Sequence, residues 1–222
     1  DIPDLDDLID VSDYVFSILP PDKATALGFD FAEKVKNSIK SPIFVECNAI
    51  SPQTTKLIAN KITLSGTEML KVGIIGPPPG RGKVTKFYAS GPNVNQLSFL
   101  DNDFIKVVYA GDEMTRASAI KMCYAALTKG MMTLQASVLI ASELLDVTDE
   151  LYPELMESQK AHWEIMKNRI STYACDSGRW VGEMEEIAKT FASVGVTSQI
   201  HTGAAEVFRM LDASPLGVET RE

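Results

Sequence analysis

The residue best suited to acid–base chemistry is Lys121, which stands among small and apolar neighbours. At helical spacing the side chains of Lys121, Thr128 and Lys129 follow one side of a helix. Burial disfavours the charged form of a lysine, so a sheltered Lys121 can pass protons near neutral pH. The alternative is that both lysines extend into solvent along an exposed stripe. The pattern therefore predicts either a proton-transfer site or a solvated helix face.

Two further candidates lie where apolar runs end. Asn48 follows the run 43–47, and its side-chain amide can donate and accept hydrogen bonds, which suits a hydroxyl or carboxylate ligand. Gly76 follows the run 70–75, where the absence of a side chain lets the backbone approach a ligand. Each has a plainer explanation, because Asn before the Ser51 helix cap and glycine in a turn are both common. Both residues are therefore candidate ligands or ordinary turn residues.

Short apolar runs alternate with amphipathic stretches in the first half of the chain. Such runs are typical of buried strands, because a helix needs greater length and polar spacing. Four strands are predicted, over residues 14–19, 43–47, 70–75 and 86–90. Helices are predicted over residues 22–39 and from the Ser51 cap onward. This alternation predicts a parallel α/β sheet, in which ligands sit at the carboxyl ends of the strands.

The second half of the chain has a different pattern, with helical periodicity throughout. The predicted helices cover residues 115–145, 153–173, 180–194 and 202–211. Gly195 stands where a glycine commonly ends a helix. The sequence thus predicts an α/β part followed by an all-α part. We place the boundary at 110/111, between an α/β domain at residues 1–110 and a helical domain at residues 111–222.

The composition argues against several classes of function. The 222 residues carry a formal net charge of -9, and an acidic surface repels nucleic-acid phosphates. No apolar run reaches the roughly 18 residues that span a bilayer, so no membrane partner is expected. Cys47, Cys123 and Cys175 are far apart and lack metal-ligand spacing with the two histidines. They predict reduced, buried thiols, no metal site and a cytoplasmic protein.

Taken in order, several segments resemble the β-hydroxyacid dehydrogenase superfamily, which includes 3-hydroxyisobutyrate and 6-phosphogluconate dehydrogenases. Residues 13–21 (DYVFSILPP) are similar to the family's strand before the nicotinamide. Residues 45–52 (VECNAISP) resemble its D-x-S-T-x-S-P stretch, and 73–76 (GIIG) its P-V-S-G-G loop. Residues 111–121 resemble the segment with the catalytic lysine. Residues 121–130 look closest to a branch whose C-terminal domain is described as a 6-phosphogluconate dehydrogenase, NAD-binding type.

The resemblance implies an oxidoreductase that uses NADP or NAD and acts on the CH–OH group of a small hydroxyacid. Lys121 would be the catalytic residue, and Asn48 and Gly76 would bind the substrate. The cofactor would contact Leu19, Pro20, Pro21 and Asn48. The resemblance also implies that residues 1–110 are a partial Rossmann-like NAD(P)-binding domain and residues 111–222 a helical substrate and dimerisation domain, which forms a homodimer. The apolar long helix agrees, because so much exposed apolar surface needs covering.

Three positions depart from the family pattern. Asn48 replaces a serine, Ile75-Gly76-Pro77 replaces the S-G-G of the loop, and Ala125 replaces an asparagine four residues after the lysine. Because these changes remove donors, a substrate carboxylate needs other donors, such as Lys129 or Arg179. We also expect Thr128 among the substrate ligands.

A glycine-rich G-x-G-x-x-G fingerprint does not occur in these residues. In the family it lies roughly 50–60 residues before the segment that starts at residue 11, and it holds the cofactor pyrophosphate. We therefore expect an incomplete enzyme with a truncated sheet, weak NAD(P) binding and little turnover. Two alternatives stay open: a non-catalytic remnant that acts as a helical dimerisation module, and an imine or ketoacid reductase on the same scaffold.

Overall fold

The computed structural model describes residues 4–215, apart from the side chain of Ser171. The chain divides into two compact units, residues 1–124 and 125–222, and the division falls inside one long helix. The predicted boundary at 110/111 lies just before that helix, at the end of the sheet. In the described part of the chain, no helix combines the length and apolar character needed to cross a bilayer.

The first unit is built on a five-stranded sheet with helices. Its strands are β1 (Tyr14–Ser17), β2 (Ile43–Glu46), β3 (Met69–Ile75), β4 (Thr85–Ser90) and β5 (Ile105–Tyr109). Its helices are α1 (Leu5–Val11), α2 (Pro21–Lys34), α3 (Pro52–Leu64) and the beginning of α4 (Arg116–Leu144). The strands lie in sequence order and pair in parallel, except that β3 and β4 are antiparallel. The predicted α/β class is confirmed.

Three features of this unit differ from the sequence prediction. The segment 76–84 is too short for the crossover that a parallel pair needs, so β4 turns back along β3 as a hairpin. Strand β5 was not predicted, although its sequence IKVVY is a short apolar run typical of a strand. Helix α1 was also missed, and three of its seven residues are acidic.

Both faces of the central strands are covered, which explains their nearly continuous apolar runs. On one face Phe44 of β2 packs against Phe31 of α2, with ring centroids 4.7 Å apart. On the other face Val45 joins a cluster with Leu70 and Leu97. Neighbouring residues of β2 thus point into different parts of the core, as the period of two in a strand requires.

The second unit is entirely helical in its described residues, as predicted. After the remainder of α4 come α5 (Thr148–Ser158), α6 (Lys160–Arg169), α7 (Ala174–Ser193) and α8 (Gln199–Asp212). The single helix predicted over 153–173 is divided at Gln159, whose φ of -126° and ψ of 37° are not helical. Gly195 has a φ of 78° just past the end of α7, which confirms its predicted capping position. The rings of Trp180 and Phe208 join α7 to α8, with centroids 5.1 Å apart.

The contact between β3 and the first turns of α4 depends on Gly73. A Cβ atom added at Gly73 would lie 2.6 Å from the carbonyl oxygen of Ala117 and 3.1 Å from Cβ of Lys121. Both distances are shorter than ordinary van der Waals contacts, and the first involves backbone that cannot rotate away. Only glycine therefore lets the helix backbone lie this close to the strand.

We predict that Gly73→Ala lowers the free energy of unfolding by about 1–3 kcal/mol, because α4 must move away from β3. Gly130→Ala is the matched control, since an added Cβ meets no atom within 4 Å there. In a helix that control should raise stability by about 0.5–1 kcal/mol. Urea unfolding of both variants measures the difference, and equal stability of the two would contradict the close contact at Gly73.

Candidate active site

Lys121 lies on α4, on the side that faces β3. Its Nζ donates a hydrogen bond of 3.0 Å to the carbonyl oxygen of Ile74, and its side chain is half-buried. Ile74 is the penultimate residue of β3, so the amine lies at the carboxyl end of that strand. Ligands of parallel sheets bind at this end. Of the two sequence-based alternatives, the structure favours a sheltered amine over a solvated stripe.

Asn48 joins the carboxyl ends of β1 and β2. Its Nδ2 donates to Oγ of Ser17 at 2.8 Å and to Oε2 of Glu46 at 3.1 Å. Its Oδ1 accepts from the backbone N–H of Leu19 at 2.6 Å, and the residue is only 3% exposed. Both amide hydrogens are thus used inside the protein. A ligand that took a hydrogen bond from Asn48 would have to displace Ser17 or Glu46, so its predicted ligand role stays a prediction.

A fully buried ion pair supports the same segment. Nζ of Lys71 lies 3.6 Å from Oε1 of Glu46, and neither side chain has any exposed surface. Lys71 also donates to the carbonyl oxygen of Asn48 at 2.7 Å, while the N–H of Asn48 donates to Glu46 at 2.6 Å. Buried charges are tolerated in proteins when they are paired and hydrogen-bonded in this way. The pair therefore fixes the turn that follows β2.

Sequence analysis missed Glu46 and Lys71 as a pair. The signal was a single charged residue inside each of two apolar runs. Only the strand register, which places Glu46 opposite Lys71, reveals that the two charges meet.

Of the three thiols predicted to be buried, Cys47, next to Glu46, is buried, but Cys175 is half-buried and Cys123 is exposed, so the prediction is wrong for these two. Burial raises the pKa of the Cys47 thiol to about 12. The thiol therefore stays protonated at neutral pH and is not a nucleophile.

The segment Leu19–Pro20–Pro21 connects β1 to α2. Pro20 occupies the cap position and Pro21 the first helical position, where a missing N–H costs no hydrogen bond. Ile18, next to this segment, leaves 64% of its surface exposed although it is apolar. The predicted contact of Leu19, Pro20 and Pro21 with a cofactor stays a prediction.

Gly76 begins the hairpin between β3 and β4. Its φ is 135°, and an added Cβ would lie 3.0 Å from Cα of Thr85. The hydroxyl of Thr85 donates to the carbonyl oxygen of Pro77 and closes the base of the hairpin. Glycine is therefore required here by the chain reversal itself, whether or not a ligand approaches.

Thr128 and Lys129 lie in the second unit. The hydroxyl of Thr128 donates to the carbonyl oxygen of Ala125 in the preceding turn, at 3.3 Å. Nζ of Lys129 lies 3.0 Å from Oε2 of Glu183 and 5.4 Å from the centroid of the Trp180 ring. The ion pair is largely sheltered, with 14% and 9% of the two side chains exposed. This ion pair engages Lys129 within the helical unit, and the predicted role of both residues as substrate ligands stays a prediction.

His201 is a buried titratable group of the helical unit whose ordinary pKa lies near neutral pH. It is 6% exposed, contacts the ring of Phe191 at 4.4 Å, and its Nδ1 finds no hydrogen-bond partner among residues 4–215. Desolvation lowers the pKa of His201. The unfolded chain therefore takes up a proton at this position at a higher pH than the folded chain does.

We predict that the free energy of unfolding falls as the pH drops below about 6.5, the ordinary pKa of histidine. His201→Phe should remove this part of the pH dependence. His162→Phe changes an exposed histidine and should leave it unaltered. Urea unfolding between about pH 5 and pH 7.5 measures both variants. If the free energy of unfolding of His201→Phe falls with decreasing pH as steeply as that of the unsubstituted protein, His201 is not the source of the pH dependence.

No group of three or more His, Cys, Asp and Glu side chains is close enough to hold a metal ion in the described part of the chain.

Comparison with known proteins finds one family model and several solved structures of similar fold. Residues 143–211 match a family described as a domain of unknown function, DUF1932. No curated protein matches the chain in sequence. The solved structure of the 3-hydroxyisobutyrate dehydrogenase of Mycobacterium tuberculosis with L-serine is similar, with a TM-score of 0.68 and 13% identity. That match covers 96% of this chain and 78% of the other.

Two other solved structures share the fold. Psf3 in complex with NADP+ and 2-OPP has a TM-score of 0.63 and 13% identity, over 95% of this chain and 78% of that one. An imine reductase from Bacillus cereus has a TM-score of 0.56 and 16% identity, over 94% and 76%. The chain therefore shares its fold with a 3-hydroxyisobutyrate dehydrogenase and an imine reductase, as the resemblance seen in the sequence implied. Because one fold serves several reactions, these likenesses define the scaffold and not the substrate.

Proposed function

We propose that this chain belongs to an NAD(P)-dependent oxidoreductase that acts on the CH–OH group of a small hydroxyacid, with Lys121 as the proton carrier. The observation that carries the proposal is the amine of Lys121 at the carboxyl end of β3, held by the carbonyl of Ile74. A proton carrier must be fixed close to the reacting group, and this hydrogen bond restrains an otherwise flexible side chain.

Lys121 acts on the hydroxyl of the substrate. In the oxidative direction its neutral amine accepts the hydroxyl proton, and in the reductive direction its ammonium returns that proton to the oxygen. Leu19, Pro20 and Pro21 would hold a nicotinamide cofactor, which would supply the hydride chemistry at the carbon that bears the oxygen. The amine needs no metal partner for this step, since the lysine itself takes the proton.

The apolar segment Leu19–Pro20–Pro21 is the part of this chain that would hold the nicotinamide ring. Asn48 supports it indirectly, because its Oδ1 accepts the hydrogen bond from the N–H of Leu19. Gly76 would let the substrate approach the backbone at the end of β3. Thr128 and Lys129 remain predicted substrate ligands of the second unit.

The test of this proposal is Lys121→Met in the natural full-length protein. We predict that turnover of hydroxyacids with NAD+ or NADP+ falls by about 10²–10⁴-fold, as expected for the loss of a general base. The affinity for the cofactor should change little, because Lys121 is not part of the segment Leu19–Pro20–Pro21 that would hold the nicotinamide ring. The panel should include 3-hydroxyisobutyrate, L-serine and 6-phosphogluconate, followed by absorbance at the NAD(P)H band.

Lys56→Met is the matched control, because Lys56 is an exposed lysine on α3. It should keep full activity. Undiminished turnover in Lys121→Met would remove this lysine from the mechanism, and absence of turnover with every hydroxyacid would contradict the proposed reaction.

An imine or ketoacid reductase is the second candidate, and the similar fold of the Bacillus cereus imine reductase favours it. Reduction of a C=N bond also needs a proton donor at the site of Lys121. The same assay run with NADPH and cyclic imines or ketoacids separates the candidates, since only one substrate class should give turnover in the unsubstituted protein.

We also propose a homodimer through the helical unit, which would serve an enzyme or a non-catalytic dimerisation module equally. Leu127 and Leu134 of α4 and Ile200 of α8 are 68%, 59% and 66% exposed. These side chains line one apolar groove, which needs covering in water.

Leu127→Glu/Leu134→Glu should convert the dimer to a monomer in sedimentation equilibrium, because two carboxylates cannot be buried in that groove without partners. Val194→Glu, a change at an exposed position outside the groove, should leave the dimer intact. A monomeric unsubstituted protein at micromolar concentration would contradict this part of the proposal.

A further inference from the structure

The charge of the chain is unevenly distributed. The whole sequence is acidic, with a net charge of -9, yet residues 69–100 contain no Asp or Glu. The same stretch contains four cations, Lys71, Arg81, Lys83 and Lys86. Lys71 is buried and paired with Glu46, so its charge is already neutralised inside the protein. The other three belong to the β3–β4 hairpin, and we call them the hairpin cations.

The hairpin cations are exposed and not neutralised by the protein. Within residues 4–215, the side chains of Arg81, Lys83 and Lys86 make no ion pair or hydrogen bond. Other lysines of the same unit behave differently, since Lys61 pairs with Glu33 and Lys106 with Asp101. In an acidic protein three unpaired cations on one short segment leave a local positive potential that attracts anions.

The position of this hairpin connects it to the proposed reaction site. It starts where β3 ends, directly after the carbonyl of Ile74 that holds Lys121. Lys86 stands opposite Ile75 in the antiparallel register, so both side chains lie on the same face of the sheet. Gly73 shares that face by the alternation of β3, and Cβ of Lys121 packs there. Lys86 and Lys121 therefore approach the end of β3 from one side of the sheet.

The backbone of this hairpin is poorly equipped to bind an anion. Pro77, Pro78 and Pro79 have no N–H to donate, so a phosphate-binding loop of backbone amides is excluded at these positions. Recognition must come from side chains. A guanidinium and two ammonium groups are the side chains that bind phosphate or carboxylate most strongly, and Arg81 can bind either in a bidentate manner.

We infer that the hairpin cations bind a second anionic group of the substrate, so that the enzyme prefers hydroxyacids with a phosphate or second carboxylate. This inference rests on the proposed function, because the reaction site at Lys121 defines where the substrate lies. A hydroxyacid with one carboxylate leaves most of the hairpin charge uncompensated. A substrate with a distal phosphate or carboxylate places negative charge beside Arg81, Lys83 and Lys86 while its hydroxyl reaches Lys121.

The experiment compares two ligands that differ only in the second anion, glycerate and 3-phosphoglycerate. Equilibrium binding to the natural full-length protein is measured by calorimetry, so that no turnover is required. The test variant is Arg81→Gln/Lys83→Gln/Lys86→Gln. The control is Lys23→Gln/Lys36→Gln/Lys56→Gln, which removes the same charge from exposed lysines elsewhere in the unit.

The unsubstituted protein should bind 3-phosphoglycerate at least about tenfold more tightly than glycerate, as charge-assisted hydrogen bonds predict. The test variant should lose this preference, and the control variant should keep it. Because the cations are exposed, the preference should shrink when salt is raised from about 20 mM to about 300 mM. Equal binding of the two ligands, or a preference that survives in the test variant, would overturn the inference.

Two further measurements separate the possible explanations. Lys121→Met should retain the preference, because it changes proton transfer and not the hairpin. A preference for 3-phosphoglycerate without turnover of any hydroxyacid would therefore support the hairpin site and contradict the proposed reaction. If the test variant instead changes only the affinity for NADPH relative to NADH, the anion belongs to the cofactor, and the assignment to the substrate is wrong.

Discussion

The close approach of α4 to β3 at Gly73 is the contact on which the candidate site depends. Because Gly73 has no side chain, the backbone of α4 comes close enough for Lys121 to reach the carbonyl of Ile74. Any larger residue would push the helix outward and carry the amine away from the end of the strand. The missing side chain of Gly73 thus sets the position of Lys121, the residue to which we assign proton transfer.

The neighbouring strand ends are held by charge rather than by apolar packing. The Glu46–Lys71 pair fixes the backbone of Asn48, and Asn48 in turn fixes the N–H of Leu19. A buried ion pair contributes little net stability, because the cost of removing two charges from water offsets their attraction. Its effect here is geometric, since it joins the ends of β1, β2 and β3 into one rigid edge. Asn48 is accordingly a positioning residue in this structure.

Much of the fold follows from the sequence, because β1, β2 and β3 leave short apolar runs with buried side chains. Strand β5 was missed although its sequence IKVVY is apolar and rich in β-branched residues, which is typical of a strand. The direction of β4 was missed because chain reversal depends on the length of the connecting loop and not on apolar pattern. Lys121 was singled out because its neighbours on one helix are apolar, which is local information, and its role in proton transfer stays a prediction. The partners of Asn48 and Lys71 come from adjacent strands, and only the register brings them together.

The central claim is that the amine of Lys121 exchanges a proton with the substrate hydroxyl. A crystal structure of the natural full-length protein with a nicotinamide cofactor and a hydroxyacid tests it most directly. The account predicts a distance of about 2.6–3.2 Å between Nζ of Lys121 and the hydroxyl oxygen, directly or through one water molecule. A substrate bound with its hydroxyl beyond that reach of Lys121, and next to another acid or base, would contradict it.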